Sequence, residues 1–561
     1  MARILKVSAV ALGLSMAGPA LAGDKQDFAA CDGRAHPGKQ SDGMRGEPSR
    51  PSYTLAFAGR TPSAGKIAAC DRALASPRLL PGQTLRRAHL LRARASAHLQ
   101  AGDSAKALAD LDLAEAAAGA RARGDRFHKR SMGVSLDLLR ALAYSHAGDD
   151  ARAATLAQRA MAARPYSSQV QQLGADIVHL SAAQSGVKAD WAMAMRLDPD
   201  VAAGVLLRHG QAGNYQDVLA LRPSVELDWP KKAPEAFMLM QGSGDGMKLM
   251  QALMVSYTTA YAHAATGDAP KAKAELGEIR SRIKTLQAVP APAAAKAGAA
   301  PKPAAVAAAA ASAASLATLL EQGLAPRTKQ VEARIAVAEG RYGDAISAMV
   351  GASLPKDAAT TDLLRALKAQ APAKDAALVP EADGFAADAV AERRAMVTRL
   401  ADMALITPET PRAVVDYEKS RPNILGALVG GALSMGTSLL GGIDRLDGFR
   451  STANADGTTK VAFVGNTPSA LLVQEMTLLR AAEVTRAAGK PAFVIVERSD
   501  YARSLRTTRG GMEISNVPTG FKSEMNIRFL DSVAQSPRAL DAVAVIDSLG
   551  PLYYEEKTAK P

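Results

Sequence analysis

From Ile67 to about Gln287, small and apolar residues recur at three- and four-residue intervals, and Gly-Asp pairs or prolines punctuate them. That period predicts amphipathic helices rather than strands. Between Leu136 and Pro165, residues Ala141, Tyr144, Gly148, Ala153, Ala157, Ala160 and Pro165 fall at the spacing of a helix–turn–helix unit. Small residues suit positions where two antiparallel helices cross. Gly148 is placed to end the first helix, where a left-handed residue is wanted. Pro165 is placed to stop the second, because proline cannot continue a helix. The preceding unit puts Ala95, His98, Gly102, Ala107, Leu111 and Ala114 in the same phase. The following one does so with Ala175, Val178, Trp191, Ala194 and Pro199, and Pro199 lies 34 residues after Pro165. Weaker units follow around Gly213 and Val218, from Ala260 through His263, Gly267, Ala272 and Leu276 to Ile279, and from Ala333 through Gly340, Ala345 and Met349 to Ala352.

Taken together, these residues resemble the tetratricopeptide repeat family in its exported bacterial form. The resemblance covers about half of the chain. It implies an α-helical solenoid whose stacked helix pairs leave a concave groove for a protein or peptide. The bulky aromatic residue that the family carries early in each unit is absent here.

Elsewhere the pattern changes. Residues 288–315 are rich in Ala and Pro and read as a linker, extended where proline is dense. Helical spacing resumes to about Ile406, so 316–420 is read as further repeats. Residues 421–451 form a Gly-rich apolar connector. Within it, Ile424–Ile443 is uncharged and holds six glycines. Twenty such residues reach across a bilayer core, and Gly426 and Gly430 have the spacing of close-packed membrane helices. Against that, each glycine costs about 1 kcal/mol in a helix, and interfacial aromatic anchors are missing. The expectation is a flexible or buried connector, with membrane association as the alternative.

Over 452–557 the period becomes mixed. Lys460–Gly465 predicts a strand. Pro468–Gly489 predicts a helix with Leu472, Met476, Leu479 and Ala482 on one face and an Arg480–Glu483 pair. Ala492–Val496 reads as a strand buried on both faces. Phe521 to Phe529 alternates as a strand with one wet face. Pro537–Asp541 reads as a short helix and Val543–Ile546 as a last strand, a small β-α-β-β-α-β domain. The stretch Leu479–Thr485, Gly489 and Phe493–Arg498 resembles a family of small envelope lipoproteins of Gram-negative bacteria whose role is unassigned. That resemblance implies a compact envelope domain and no activity. The family's lipidated cysteine is absent.

Compartment follows from the first residues. Arg3 and Lys6 precede an apolar run from Val7 to Gly18, and Ala20-Leu21-Ala22 offers a small-x-small cleavage site. Residues 1–22 are therefore read as a signal peptide, and the mature chain as periplasmic. The net charge of +13 falls by two on cleavage. The rest is spread along helices, as expected of solvated faces. Residues 23–66 read as an irregular arm. The chain has two cysteines, Cys31 and Cys70. An even count in an oxidising compartment favours one disulfide, and two separately buried thiols are the rival reading.

Chemistry is sparse. There is no His-Glu-x-x-His pair and no calcium loop. No histidine follows His263 and no cysteine follows Cys70, so the C-terminal domain lacks the commonest base and nucleophile. Gly59–Ile67 superficially matches a phosphate loop but has one residue too many between its glycines, and isoleucine after the lysine. His98, His209 and His263 occupy one repeat position in different units, which suits packing and not a metal. Arg498, Arg503, Arg506 and Arg509 are read as a solvated loop rather than a nucleic-acid patch.

The chain is thus read as a multidomain α plus α/β protein, a protein-binding scaffold or assembly factor of the cell envelope. A protein or peptide is its expected partner, nucleic acid is not, and no cofactor, metal or catalytic residue is assigned. The alternatives are a membrane-associated structural component acting through 424–443 and a cell-wall-active enzyme with its site in the C-terminal domain. Intact-mass measurement of the exported protein should place its first residue at or near Gly23. A mass that still includes Met1–Ala22 would refute the export reading.

Overall fold

The computed structural model describes residues 24–39, 42–44, 63–227, 229, 244–287, 303–349, 352–409, 417, 448–465, 469–509 and 512–554. Residues 1–22, read as a signal peptide, and all of Ile424–Ile443 lie outside the described residues, as do 288–302 of the stretch read as a linker, whose remainder from Pro303 is helical. The described chain is mostly helical and ends in a five-stranded antiparallel sheet.

The helices come largely as antiparallel pairs, because the same turn chemistry recurs between them. Helix α1 spans Asp24–Asp32 and α2 spans Ser63–Ala75, so the arm expected to be irregular starts with a helix. The pair α3 (Thr84–Gln100) and α4 (Ser104–Gly124) turns at Gly102, and α5 (Val134–Ala147) and α6 (Asp150–Ala163) turn at Gly148. Next come α7 (Ser168–Ser185) and the short α8 (Ala192–Leu197). Three further turns, at Gly213, Gly267 and Gly340, join α9 (Val201–Gln211) to α10 (Tyr215–Leu221), α11 (Gly244–Ala265) to α12 (Ala269–Gln287), and α13 (Pro303–Ala338) to α14 (Tyr342–Met349). At all five the glycine has φ between 72° and 90°, and the next residue's N–H donates to the carbonyl five positions back, as Asp103 N–H does to His98 at 2.8 Å and Asp149 N–H to Tyr144 at 2.9 Å. A left-handed residue turns the chain there while satisfying carbonyls that the helix end leaves open. Asp103, Asp149 and Asp268 then cap the second helix by accepting from the N–H three residues on. Helices α15 (Ala358–Gln370) and α16 (Ala382–Leu400) complete the helical region.

Helical character stops at Leu400, short of the expected end. Residues 401–404 form a turn, closed by the Leu405 N–H donating to the Asp402 carbonyl at 3.2 Å, and 405–409 have no regular secondary structure, Pro408 having no N–H to donate.

Strand β1 is Gly448–Ala453, which begins inside the segment read as connector. Then come β2 (Thr459–Gly465), α17 (Ala470–Ala487), β3 (Ala492–Arg509), β4 (Met512–Leu530), β5 (Leu540–Asp541) and α18 (Ala542–Tyr553). The sheet order is β1-β2-β4-β3-β5. Because β4 is antiparallel to both β2 and β3, those two run the same way, and α17 is the crossover between them. Leu472, Met476, Leu479 and Ala482 of α17 are all buried, and Arg480 donates to Glu483 at 3.0 Å.

The end of this domain departs from expectation. Pro537–Asp541 is not a helix, and Val543–Ile546 lies in α18 instead of a strand. Asp541 accepts the N–H groups of Val543 and Ala544 at 2.8 and 3.0 Å, a helix cap that β propensity does not register. Ala542, Val545, Leu549 and Tyr553 then bury one helical face. Val496 is 41 % exposed, not buried. It is the extra residue of a bulge, since Ile495 faces Ile527 and Glu497 faces Asn526. Arg498, Arg503, Arg506 and Arg509 lie on a strand, not in a loop.

Cys31 and Cys70 form a disulfide between α1 and α2. It lies in a small core with Phe28, Ala73, Leu79, Leu90 and Ala93, and Arg72 pairs with Asp27 beside it at 2.8 Å. The bridge spans 39 positions, for which the chain-entropy account gives a stabilisation of about 4 kcal/mol. Replacing both cysteines by serine should therefore lower the denaturant midpoint of the oxidised protein markedly and abolish its sensitivity to reductant. Equal midpoints for wild type with and without reductant would refute the bridge's role.

Candidate functional site

Helices α3, α5 and α7 each turn one face towards the same strip of the protein, and a segment of the chain itself occupies that strip. After α16, residues 401–409 cross all three helices. Ala401, Ala404 and Ile406 are fully buried in one core with Leu91, Ala95, Leu99, Leu138, Ala141, Leu173 and Ile177. Burial alternates along 404–408, and the Ile406 N–H also donates within the segment, to the Ala404 carbonyl at 3.0 Å.

The helices hold this segment by its backbone. Gln169 Nε2 donates to the carbonyl of Met403 at 2.5 Å. Ser135 Oγ donates to the carbonyl of Ala404 and accepts the N–H of Ile406 at 3.4 Å. Arg92 Nη2 donates to the carbonyl of Ile406 at 2.6 Å. Ser131 Oγ accepts the N–H of Glu409 at 3.0 Å. Side chains here do what a neighbouring strand would do, satisfying backbone groups that burial would otherwise leave unmet.

A carboxylate is gripped at each end. Asp402 accepts from Lys66 Nζ at 2.9 Å and from Ser96 Oγ at 2.8 Å. Burial alone would raise its pKa, but the Lys66 charge and these bonds hold it below the usual range. Glu409 is completely buried. One of its oxygens accepts from Arg130 Nε at 2.8 Å, and the other lies 2.7 Å from Arg164 Nη2.

The same two arginines face Glu475 of α17. Arg164 Nε donates to it at 2.7 Å, and Arg130 Nη2 also donates to it. Tyr553 of α18 donates its hydroxyl to Glu475 at 2.6 Å. Two positive and two negative groups, each no more than 7 % exposed, thus alternate around a closed box. Burial opposes every charge in it. The pKa of Glu475 is nevertheless lowered, since Arg130 and Arg164 outweigh burial, and both guanidinium pKa values are raised by the glutamates. Burial raises the Tyr553 pKa well above normal, which keeps its proton in place.

Arg130 and Arg164 are 34 positions apart, the spacing of Pro165 and Pro199, each just ahead of a helix that lines the strip. Asp198 is the next in that series. Beside it, Arg498 of β3 donates to the carbonyl of Leu197 at 3.0 Å, and Arg196 donates to that of Pro537 at 3.1 Å. Arg126 donates to the carbonyl of Pro551 at 2.8 Å. Phe127 and Leu197 enter the core of the C-terminal domain. That domain is therefore docked along the corners of successive helix pairs.

The residues singled out in the sequence have other places. Ala95, Ala107, Ala114, Ala141, Ala153 and Ala160 are buried in the core beneath the strip, while Ala194 packs with Ala175 and Trp191 in the next. Gly102 and Gly148 make turns, Tyr144 lies under Arg152, and Pro165 and Pro199 follow helix ends. Cys31 and Cys70 are remote from the charge box in the fold, in a separate core. His209 packs edge-on against Trp191, with His179 beside both. Burial pushes His179 down to about 4. Among the described residues no three His, Cys, Asp or Glu side chains converge as metal ligands. A second cleft, of about 50 Å³, lies among Tyr215, Tyr257, Tyr261, Arg327 and Gln330. Tyr215 and Tyr261 spend their hydroxyls on Asp362 and the Ala359 carbonyl, and Arg327 pairs with Asp357, so its polar groups bond within the protein.

Sequence reading missed Arg92, Ser96, Arg130, Ser131, Ser135, Arg164, Gln169 and the whole of 402–409. The 34-position spacing of Arg130 and Arg164 marks no site by itself, because the neighbouring positions in that series, Ser96 and Asp198, are polar too.

Replacing Glu475 by Gln would leave two buried arginines against one carboxylate. Breaking a buried pair in this way costs roughly 3–5 kcal/mol, to be read as a lower denaturant midpoint at pH 7. Glu475 has a folded pKa below the ordinary 4.5, so its stabilisation is complete above that value and is lost as pH falls through the folded one. The gap between wild type and Glu475→Gln should accordingly narrow only in acid below that range. A gap that stays constant into acid would refute the ionised box.

Compared with models of known families, with curated proteins and with solved structures, the chain shows no match.

Proposed function

We propose that this chain is a protein-binding scaffold or assembly factor of the bacterial cell envelope, a helical-repeat protein of tetratricopeptide type that acts in the periplasm. One observation carries the reading. The strip formed by α3, α5 and α7 meets five backbone groups of the non-helical residues 403–409 with its side chains. A helix satisfies its own backbone, whereas a non-helical polypeptide brings backbone groups that its binding surface has to meet. The five Gly-centred turns support the repeat reading, and the Cys31–Cys70 bridge suits an oxidising compartment. The C-terminal domain, docked on the repeat corners, serves in this reading to brace the groove instead of acting as a separate module.

A photo-crosslinking residue placed at Gln169, on the groove wall, should capture envelope proteins in living cells. The same residue at Leu113, which is 53 % exposed on α4, should capture few or none. Equal adducts at both positions, or none at Gln169, would count against a groove-centred binding function.

A further inference from the structure

The groove already contains a ligand, and the chemistry of that ligand describes the external one. We propose that the groove takes, in trans, a peptide of a partner protein carrying two carboxylates seven positions apart with a branched apolar residue between them, and that residues 402–409 are its stand-in. This rests on the binding reading above and names the partner's chemistry.

Three features carry it. First, among the described residues the groove's side chains bond the middle of the segment only through its backbone, so another chain that takes the same turn could make the same set. Only the termini and Ile406 are read by side-chain character: Asp402 by Lys66 and Ser96, Glu409 by Arg130 and Arg164, and Ile406 by the apolar floor. Second, the stand-in fits imperfectly. The Arg92 guanidinium is buried and its Nη2 also meets His89 Nδ1 at 2.7 Å, yet its Nε and Nη1 have no hydrogen-bond partner among the described residues. Burial and the neighbouring Arg34 charge push its pKa down to about 9. Met403 is exposed, and the Asp402 carboxylate is only partly covered. A peptide that met the spare Arg92 donors would gain what 402–409 does not supply. Third, the groove cannot stand empty at low cost. Without Glu409, Arg130 and Arg164 would face Glu475 alone, and an uncompensated buried charge is strongly unfavourable. Departure of the segment is thereby tied to arrival of another carboxylate, an exchange and not an opening. The tether gives 402–409 a high effective concentration, so a competitor has to bind well to win.

The test uses the full-length protein and a fluorescein-labelled, end-blocked peptide of the sequence Asp-Met-Ala-Leu-Ile-Thr-Pro-Glu, read by anisotropy. In Ile406→Asp the segment should be expelled by a charge where an apolar side chain was buried. That variant should bind the peptide at least tenfold more tightly than wild type does, and a peptide with Asn and Gln at the acidic positions should bind at least tenfold more weakly. Circular dichroism checks the fold, and hydrogen exchange of the 402–409 amides checks release. A folded variant with a released segment that binds neither peptide, or binds both equally, overturns the proposal. So does a released segment that inserts into a second copy and makes a dimer refractory to peptide. If Ile406→Asp does not fold, wild type decides: excess acidic peptide should speed exchange at 402–409 and the amide peptide should not, and unchanged exchange overturns the idea. Peptide failure with crosslinks intact at Gln169 would reject this partner chemistry alone, whereas loss of the crosslinks rejects the binding function.

Discussion

The box of Arg130, Glu409, Arg164 and Glu475 is the constraint on which the arrangement of this protein depends. Each charge would be prohibitively costly to bury alone, and a buried pair gains little over an apolar pair. Its value is therefore in specificity. Arg130 and Arg164 come from the helix pairs, Glu409 from the groove segment and Glu475 from the C-terminal domain. No two of these parts can be closed without the third, because any subset leaves an unmatched charge out of water. Tyr553, held protonated by its burial, meets one more lone pair of Glu475 and ties in the last helix.

That geometry changes how the groove and the C-terminal domain relate. The groove segment runs across the inner face of α3, α5 and α7, while the C-terminal domain sits on the corners of the same helix pairs. Both end on the same two arginines. Glu409 and Glu475 therefore share one pair of counter-charges. Tyr417, buried against Phe449, Tyr553 and Tyr554 and donating to Glu483 at 2.8 Å, lies on the path from the segment to the first strand.

Much of the helical architecture could be read directly. The turns at Gly102, Gly148, Gly213, Gly267 and Gly340 announce themselves, since a helix end needs a left-handed residue and glycine meets that need at least cost. Paired cysteines allow a single bridge. The alternation of Phe521 to Phe529 and the apolar stripe of α17 are local patterns with a fixed period. The misreadings share one cause. Val543–Ile546 is β-branched and would favour a strand, but the cap from Asp541 and the buried face of Val545, Leu549 and Tyr553 prevail. Val496 belongs to an apolar run, yet a bulge turns it outward.

What the sequence determined by itself, then, was the set of elements whose pattern repeats within a few positions: Gly turns, alternating strands and amphipathic helices. Tertiary structure alone decided the fate of 401–409. That segment has no period of its own, and it becomes ordered because Ser131, Ser135, Gln169 and Arg92, more than 230 positions away, satisfy its backbone. Likewise, nothing local to Arg130 or Arg164 marks it as buried. An arginine is ordinarily a surface residue, and only the arrival of Glu409 and Glu475 from distant chain makes its burial affordable. Contacts of that separation leave no spacing to read, so the candidate site was invisible until the chain was folded.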